Sequence, residues 1–320
     1  MIQRLGRHTL IGGDCLTHLA EFRPCSLDAI IGDPPYGLGF MGKGWDALPP
    51  GPLFAERALR ALKPGAYCVL AGGTRTIHRL TVALEDAGFE IRDQLHWLYW
   101  QGFPKSLNIG DGFGTALKPA VEPFVVARKP LEGTVAANVI KWGTGAINVD
   151  AGRHPYGCPS WPGSKEAPGR RALPDHWGDR WRSAGGQPEY HATPRIKDPC
   201  SHPLGRWPAN VYHCPKPSTA EREAGCEELR QCSAGELTGG RTAGSAGLNN
   251  PRAGAGRTSQ GRGNTHPTVK PIKLMRQLVR LFCPPGGLLC DPFAGSGTTL
   301  LAAEKSALRH RCIAIERSPK

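Results

Sequence analysis

The chain has 320 residues, 39% of them hydrophobic, with 42 Gly, 30 Pro and a formal net charge of +13 at pH 7. This length suits one large α/β domain with a smaller module, and the lack of a long apolar run predicts no membrane span. Eleven scattered Cys and no secretory signal predict a cytoplasmic protein with reduced thiols. Residues 1–150 carry 15 Lys and Arg against 14 Asp and Glu, so nearly all the excess positive charge lies in residues 151–320. Such an uneven charge predicts a polyanionic partner.

Strands and helices alternate in the first half of the chain and again near its end. A short strand is predicted ahead of residues 13–16, which lead into a helical turn. Further strands are predicted over residues 27–32, 66–71, 89–100, 121–127, 288–290 and 312–315, and helices over 52–62, 76–87, 272–282 and 298–306. Residues 63–65, Lys-Pro-Gly, are expected to end the helix before them. This alternation favours a largely parallel sheet covered by helices on both faces.

The middle of the chain has a different composition. Residues 143–210 are dense in Gly, Pro, Arg and Trp, and residues 233–264 are richer still in Gly, Ser, Ala and Arg. We predict irregular structure there, followed by a flexible basic linker. Cys and His residues at 200, 202, 213, 214, 226 and 232 match no C-x₂-C spacing, which disfavours a zinc site.

A stiff turn follows the strand over residues 27–32. Pro34 and Pro35 fix φ near −65° and offer only carbonyl oxygens, with the carboxylate of Asp33 before them and the ring of Tyr36 after them. Acceptors next to a stacking face can hold a flat heterocycle by its exocyclic amine. The alternative is an ordinary proline-rich turn, and these four residues alone do not separate the two.

A glycine-containing loop connects the strand at 288–290 to the helix that follows. Gly295 and Gly297 allow the backbone to approach a ligand closely, and the helix that starts near Thr298 offers N–H groups to an anion. Glu316 ends the next strand, where an acid commonly binds ribose hydroxyls. A phosphate-binding P-loop is disfavoured because no Lys follows the glycines, and a dinucleotide site lacks its third glycine. A nucleoside with a small anionic tail, such as S-adenosyl-L-methionine, fits best.

Three motifs in this order resemble a known family. They are Asp33-Pro34-Pro35-Tyr36, then His266-Pro267-Thr268-Val269-Lys270-Pro271, then Asp291-Pro292-Phe293-Ala294-Gly295-Ser296-Gly297-Thr298-Thr299. The pattern resembles the amino-group DNA methyltransferases, which methylate N6 of adenine or N4 of cytosine. With the Asp-Pro-Pro-Tyr motif first and the cofactor motif last, it is similar to their permuted beta class, in particular to members of phage and prophage type.

The resemblance implies a role for each motif. Asp33 and the Pro34 carbonyl would accept hydrogen bonds from the target amine, and Tyr36 would stack on the flipped base. The residues expected to bind S-adenosyl-L-methionine are Asp14 near its adenine, Asp291, Phe293, Gly295, Gly297 and Thr298 around it, Glu316 at its ribose, and His266, Thr268 and Lys270 at its methionine end.

The resemblance also implies an architecture and a partner. We expect a Rossmann-like, mostly parallel sheet with one antiparallel strand and an inserted irregular target-recognition region. The strands before Asp33 and Asp291 should be neighbours in this sheet. The predicted boundaries are 1–135 for the catalytic part, 136–262 for target recognition and linker, and 263–320 for the cofactor-binding part. The expected partner is double-stranded DNA.

Several alternatives stay open at this point. Asp33, where cytosine-N4 relatives often have Ser, favours adenine. Cytosine N4, an inactive DNA-binding relative and a protein-glutamine methyltransferase are the competing interpretations. A homodimer and a separately encoded restriction enzyme are compatible with the sequence.

Overall fold

The computed structural model describes residues 1–39, 46–102, 106–155, 158, 204–233, 262–266 and 268–317. The strands are β1 (Ile2–Leu5), β2 (His8–Gly12), β3 (Leu27–Gly32), β4 (Leu62–Ala71), β5 (Glu90–Leu98), β6 (Asn108–Gly110), β7 (Phe113–Gly114), β8 (Val121–Arg128), β9 (Val211–His213), β10 (Leu288–Asp291) and β11 (Arg311–Glu316). The helices are α1 (Cys15–Glu21), α2 (Pro52–Ala61), α3 (Ile77–Asp86), α4 (Val135–Trp142), α5 (Val149–Gly152), α6 (Thr219–Glu223), α7 (Ile272–Phe282) and α8 (Thr298–Glu304).

Most of the described strands belong to one sheet. Its order is β1-β2-β11-β10-β3-β4-β8-β5-β9, and β6 pairs with β7 in a separate hairpin. Neighbours run parallel except at β1 and β8, which are antiparallel to the strands beside them. The predicted mostly parallel sheet is confirmed, but two of its described strands are reversed rather than one: β8 inside the sheet and β1 at its edge.

Strand β3 lies near the middle of this sheet, and all six of its residues are buried. Its side chains alternate between two cores because successive residues of a strand point to opposite faces. Ala29 and Ile31 pack in the core that contains buried residues of α7 and α8, whereas Ile30 packs in the core that contains those of α2 and α3. Both faces of β3 are covered, which explains why nearly all of its residues are apolar. Its carboxyl end is therefore packed on both faces.

Strand β4 begins earlier than its sequence suggests. Helix α2 ends at Ala61, one residue before its predicted end, and residues 63–65 belong to β4 instead of a separate turn. Pairing passes from Leu27 with Leu62 to Ala29 with Tyr67, so the extra residues of β4 bulge out of register. Gly65, with a φ of +74°, takes the left-handed conformation that glycine adopts without steric cost.

The middle region contributes to the main sheet. Strand β9 lies inside the range 136–262, yet it pairs with β5 at the sheet edge, with Trp97 opposite Tyr212. Residues 159–203 and 234–261, which carry most of the expected irregular segment and linker, lie outside the described residues. So do Cys200 and His202 of the cluster considered for zinc.

None of the helices in the described part of the chain is long and apolar enough to cross a bilayer. The same part of the chain contains no group of three or more His, Cys, Asp and Glu side chains that could hold a metal ion.

Candidate active site

The Asp33 turn and the Asp291 loop lie side by side. They follow β3 and β10, which are parallel neighbours paired through Ala29 with Leu289 and Ile30 with Cys290. The carboxyl ends of both strands therefore meet at one edge of the sheet. At Gly32 a Cβ atom would lie 2.6 Å from Oδ1 of Asp291, so only glycine allows this approach without a shift. Ligands of open α/β sheets bind at this edge.

Asp46 holds the residues after the two prolines in place. Its carboxylate accepts hydrogen bonds from the backbone N–H groups of Tyr36 (2.7 Å), Gly37 (2.9 Å) and Leu38 (3.2 Å). Thr76 adds a bond from its hydroxyl to the Tyr36 carbonyl, at 2.6 Å. Asp46 is buried, and charge-assisted bonds of this kind are about twice as strong as neutral ones. Three hydrogen bonds to Asp46 and one from Thr76 thus fix the residues that follow the two prolines.

A compact group of four polar side chains lies beneath the turn; we call it the Asp33 cluster. It consists of Asp33, Tyr36, Glu122 at the start of β8, and Lys270 just before α7. The Lys270 ammonium is 2.6 Å from Asp33 Oδ2, 3.1 Å from Glu122 Oε2 and 3.0 Å from the Tyr36 hydroxyl. That hydroxyl is also 2.9 Å from Asp33 Oδ1 and 3.0 Å from Glu122 Oε2. The cluster joins three separate parts of the chain.

The charges in the Asp33 cluster shift the protonation of its members. Burial raises the pKa of Asp33, although the Lys270 ammonium opposes this, and the nearby Glu122 carboxylate adds to it. Burial also acts to raise the pKa of Glu122, but Lys270 and Lys216 outweigh it, so this pKa is lowered. For Lys270, the two carboxylates outweigh burial and its pKa is raised. The favoured state has charged Lys270 and ionised Glu122, with Asp33 the easier carboxylate to protonate.

Glu122 also connects the Asp33 cluster to the surface. Its Oε1 lies 3.9 Å from the ammonium of Lys216, whose side chain is 42% exposed. Lys216 lies 4.2 Å from the centre of the Tyr99 ring, a favourable cation–π position. Glu122 itself is 17% exposed, so it lies between the buried Lys270 and solvent.

The loop after β10 forms the second part of the site. Gly295 and Gly297 have φ values of +54° and +80°, and the Gly295 N–H donates to Glu316 Oε2 at 2.7 Å. Asp291 Oδ1 accepts from the Phe293 N–H at 3.0 Å, and burial raises the pKa of Asp291 to about 7. The carboxylate of Glu316 is therefore directed at this loop, and its predicted role at the ribose stays a prediction.

His266 lies against this loop. A Cβ atom at Gly295 would approach the His266 ring to 2.9 Å. Its Nδ1 is buried and has no hydrogen-bond partner among the described residues, and burial lowers the pKa of the ring. The backbone carbonyl of His266 accepts a hydrogen bond from the Arg222 guanidinium at 2.6 Å, which fixes the chain at His266. An unsatisfied buried nitrogen next to a glycine loop is a feature expected of a ligand site.

The remaining predicted residues surround these two parts. Thr298 begins α8 and is buried, and Thr268 is partly buried in the segment between His266 and Lys270. Asp14 caps α1 by accepting from the Leu16 N–H at 2.9 Å. The preceding Gly13 N–H donates to the Glu316 carbonyl, which brings Asp14 to the same sheet edge.

Sequence reasoning missed Glu122 and Asp46. Lys270 stays a predicted contact of the cofactor's methionine end, and the structure adds contacts of its ammonium with Asp33 and Glu122. Glu122 could have been noticed as a lone acid in a run of apolar residues. Asp46 had no signal beyond its place after a glycine-rich stretch, whose residues 40–45 lie outside the described part of the chain.

Known proteins resemble this chain in sequence. The sequence model of the DNA methylase family of N6 and N4 methyltransferases matches residues 27–320. A relative from Escherichia coli (strain K12), named "Putative methylase YubD", is 44% identical over 45 residues, or 14% of this chain and 20% of that protein. The match thus spans about a fifth of that relative's length.

Two solved structures align over most of this chain. The PvuII DNA methyltransferase, described as cytosine-N4-specific, aligns with a TM-score of 0.54 and 15% identity over 98% of this chain and 82% of that one. A DNA modification methylase from Thermus thermophilus, TTHA0409, described as putative, aligns with a TM-score of 0.48 and 18% identity over 98% and 90% of the two chains. At 15% identity, the likeness to the PvuII enzyme shows that the two chains share a fold.

Proposed function

This chain belongs to the family of N6 and N4 DNA methylases, and we propose that it moves a methyl group from S-adenosyl-L-methionine to the exocyclic amine of a base in double-stranded DNA, adenine N6 being favoured. The observation that carries the proposal is the meeting of the Asp33 turn and the Asp291 loop at one sheet edge. A base held on Tyr36 would then face a donor held by the loop.

The residues around the Asp291 loop fit this donor. The buried, unsatisfied Nδ1 of His266 and the close approach at Gly295 are what a bound nucleoside with an amino acid tail would use. Glu316 would hold the ribose, Phe293 and Gly297 would wall the site, and Asp14 would lie near the adenine. When bound, the donor supplies an electrophilic methyl group on a positively charged sulfur. The carboxylates near this edge suit that charge.

The turn would bind and orient the base. Two of the roughly four lone-pair positions of the Asp33 carboxylate are used by Tyr36 and Lys270, so capacity remains for an amine N–H. The Pro34 carbonyl would accept the second N–H, and the exposed part of the Tyr36 ring would stack on the base. Flipping the base costs a few kcal/mol, which stacking and hydrogen bonds in the pocket offset. Most of the rate enhancement would come from positioning.

The middle of the chain would recognise the DNA. Within 136–262, the Trp207 side chain is 63% exposed and the Arg153 guanidinium lies 5.1 Å from its ring centre. Exposed aromatic and cationic groups suit contact with bases and phosphates. We also propose that the protein acts in the cytoplasm. Gel filtration would decide whether two copies pair, and the neighbouring genes would decide whether a restriction enzyme shares the target.

The test is transfer of labelled methyl groups from S-adenosyl-L-methionine to duplex DNA or to protein. We expect transfer to DNA, and loss of at least about 100-fold in rate for Asp33→Ala and Tyr36→Ala, because positioning of the amine is lost. Asp86→Ala, an exposed change at the end of α3, is the matched control and should transfer normally. Near-normal transfer by Asp33→Ala would refute the proposal, and labelling of protein instead of DNA would favour the glutamine alternative.

A further inference from the structure

Hydrogen-bond donors and acceptors do not balance inside the Asp33 cluster. The Tyr36 hydroxyl has one proton, yet it lies within 3.0 Å of an oxygen of Asp33 and an oxygen of Glu122. Lys270 donates to all three of its neighbours and adds no proton to either oxygen–oxygen contact. With both carboxylates ionised, one of the two contacts therefore lacks a hydrogen.

The cluster can thus accept one proton without moving any heavy atom. A proton that arrives on Asp33 fills the contact between Asp33 and Tyr36, and the Tyr36 proton then points at Glu122. The net charge of the cluster changes from −1 to neutral, which a poorly solvated site favours. The side chains of Asp33 and Glu122 are each 17% exposed, and that of Lys270 is 7% exposed.

Methyl transfer to an amine produces such a proton. The amine nitrogen forms its new bond to the methyl carbon while the donor sulfur keeps the electron pair of the bond that breaks. The nitrogen then carries one surplus proton and a positive charge. A base stacked on Tyr36 would cover Asp33, so the proton needs another way to leave.

We propose, resting on the proposed function, that Glu122 is a relay residue that takes the surplus proton from Asp33 through the Tyr36 hydroxyl and releases it to solvent beside Lys216. Asp33 takes the proton from the nitrogen, Tyr36 takes one from Asp33 and passes its own to Glu122. Glu122 then loses a proton to water at the surface, where the exposed Lys216 lies 3.9 Å away. Two protons move at Tyr36, one arriving and one leaving, so each step transfers a net of one proton and no redox partner is needed.

The first test reads the coupling in the free protein and needs no activity. Carbon-13 NMR of protein labelled at the Asp carboxyl carbons would follow the titration of Asp33, with its signal assigned by its loss in Asp33→Asn. The pKa of Asp33 also depends on Lys270 and Tyr36 and, more weakly, on Asp291 and His266.

In Glu122→Gln, we expect Asp33 to titrate at lower pH, because the neighbouring negative charge is gone. Glu132→Gln, which changes an exposed Glu paired with Lys141, is the matched control and should leave Asp33 unchanged. An Asp33 titration that is the same in wild type and Glu122→Gln would overturn the inference.

The second test reads the relay during a single turnover on duplex DNA. General base catalysis is typically worth 10²–10⁴-fold, so we expect Glu122→Gln and Tyr36→Phe each to slow the turnover by about 100-fold. Tyr36→Phe keeps the stacking ring but removes the hydroxyl, so it tests the relay even if Glu122→Gln does not fold. Formate should restore part of the rate in Glu122→Ala, which a merely structural role would not allow.

The results separate this inference from the proposed function. Wild-type rates in both Glu122→Gln and Tyr36→Phe would overturn the relay while leaving methylation intact. A wild-type protein that transfers no methyl group to any DNA would overturn the proposed function, and the Asp33 titration would still decide the coupling.

Discussion

Lys270→Met is the most informative single change for stability. It keeps the length of the side chain and removes the ammonium that Asp33 and Glu122 share at 2.6 and 3.1 Å. Removing one partner from a buried ion pair costs about 3–5 kcal/mol, because a desolvated charge is left unpaired. Both carboxylates keep some exposure to water, so we expect the lower end, about 3 kcal/mol.

The assay is urea unfolding of wild type and Lys270→Met at pH 7. Lys273→Met is the matched control on the exposed side of α7, where surface changes usually stay within about 0.5 kcal/mol. Adding Asp33→Asn to Lys270→Met should recover part of the loss, because one of the unpaired charges disappears. The loss should also shrink at acid pH, where the carboxyl groups are protonated.

A single outcome would refute this account of the Asp33 cluster. If Lys270→Met unfolds within about 0.5 kcal/mol of wild type at pH 7, the ammonium does not pair with the two carboxylates in solution. The cluster would then have a different arrangement from the one described.

Three further predictions concern neighbouring positions. Burial raises the pKa of Asp291 to about 7, so the folded state keeps a proton that the unfolded state releases near pH 4, and the stability that this proton gives is lost as pH rises through 7. Between pH 4 and 8, the unfolding free energy of Asp291→Asn should therefore rise relative to that of wild type by up to about 4 kcal/mol. A difference that stays constant over this pH range would contradict the prediction. Asp46→Ala removes the acceptor of three backbone N–H groups and should cost at least about 3 kcal/mol in unfolding free energy, with labelled-methyl transfer impaired even where the protein stays folded. Gly32→Ala places a methyl group 2.6 Å from the Asp291 carboxylate and should weaken donor binding measured by calorimetry, so unchanged binding would argue against the close approach of the two loops.

The central part of the fold followed from the sequence because it depends on local patterns. Strand β3 is apolar apart from Asp28 and lies between polar turns, and α7 shows helical periodicity over residues 272–282, so both were predicted within a residue or two of their observed ends. The adjacency of β3 and β10 also followed, since the motif order resembled a family in which these strands are neighbours. The pairing of Ala29 with Leu289 confirms it.

What failed were features that depend on tertiary contacts. The Lys-Pro-Gly stretch at 63–65 resembles a turn, yet a bulge in the pairing with β3 draws it into β4. Glu122 lies 86 positions from Tyr36, and no local pattern reports a contact over that separation. The contact of Lys270 with Asp33 spans 237 positions, so it was likewise out of reach of any local pattern.

We propose that the edge formed by the Asp33 turn and the Asp291 loop methylates a base amine. Mass spectrometry of nucleosides from duplex DNA treated with S-adenosyl-L-methionine and either wild type or Asp33→Ala tests this function. We expect N6-methyladenine with wild type and none above background with Asp33→Ala. N4-methylcytosine instead would contradict the choice of adenine, and DNA without any methylated base, or with equal methylation by both proteins, would refute the proposed methylation.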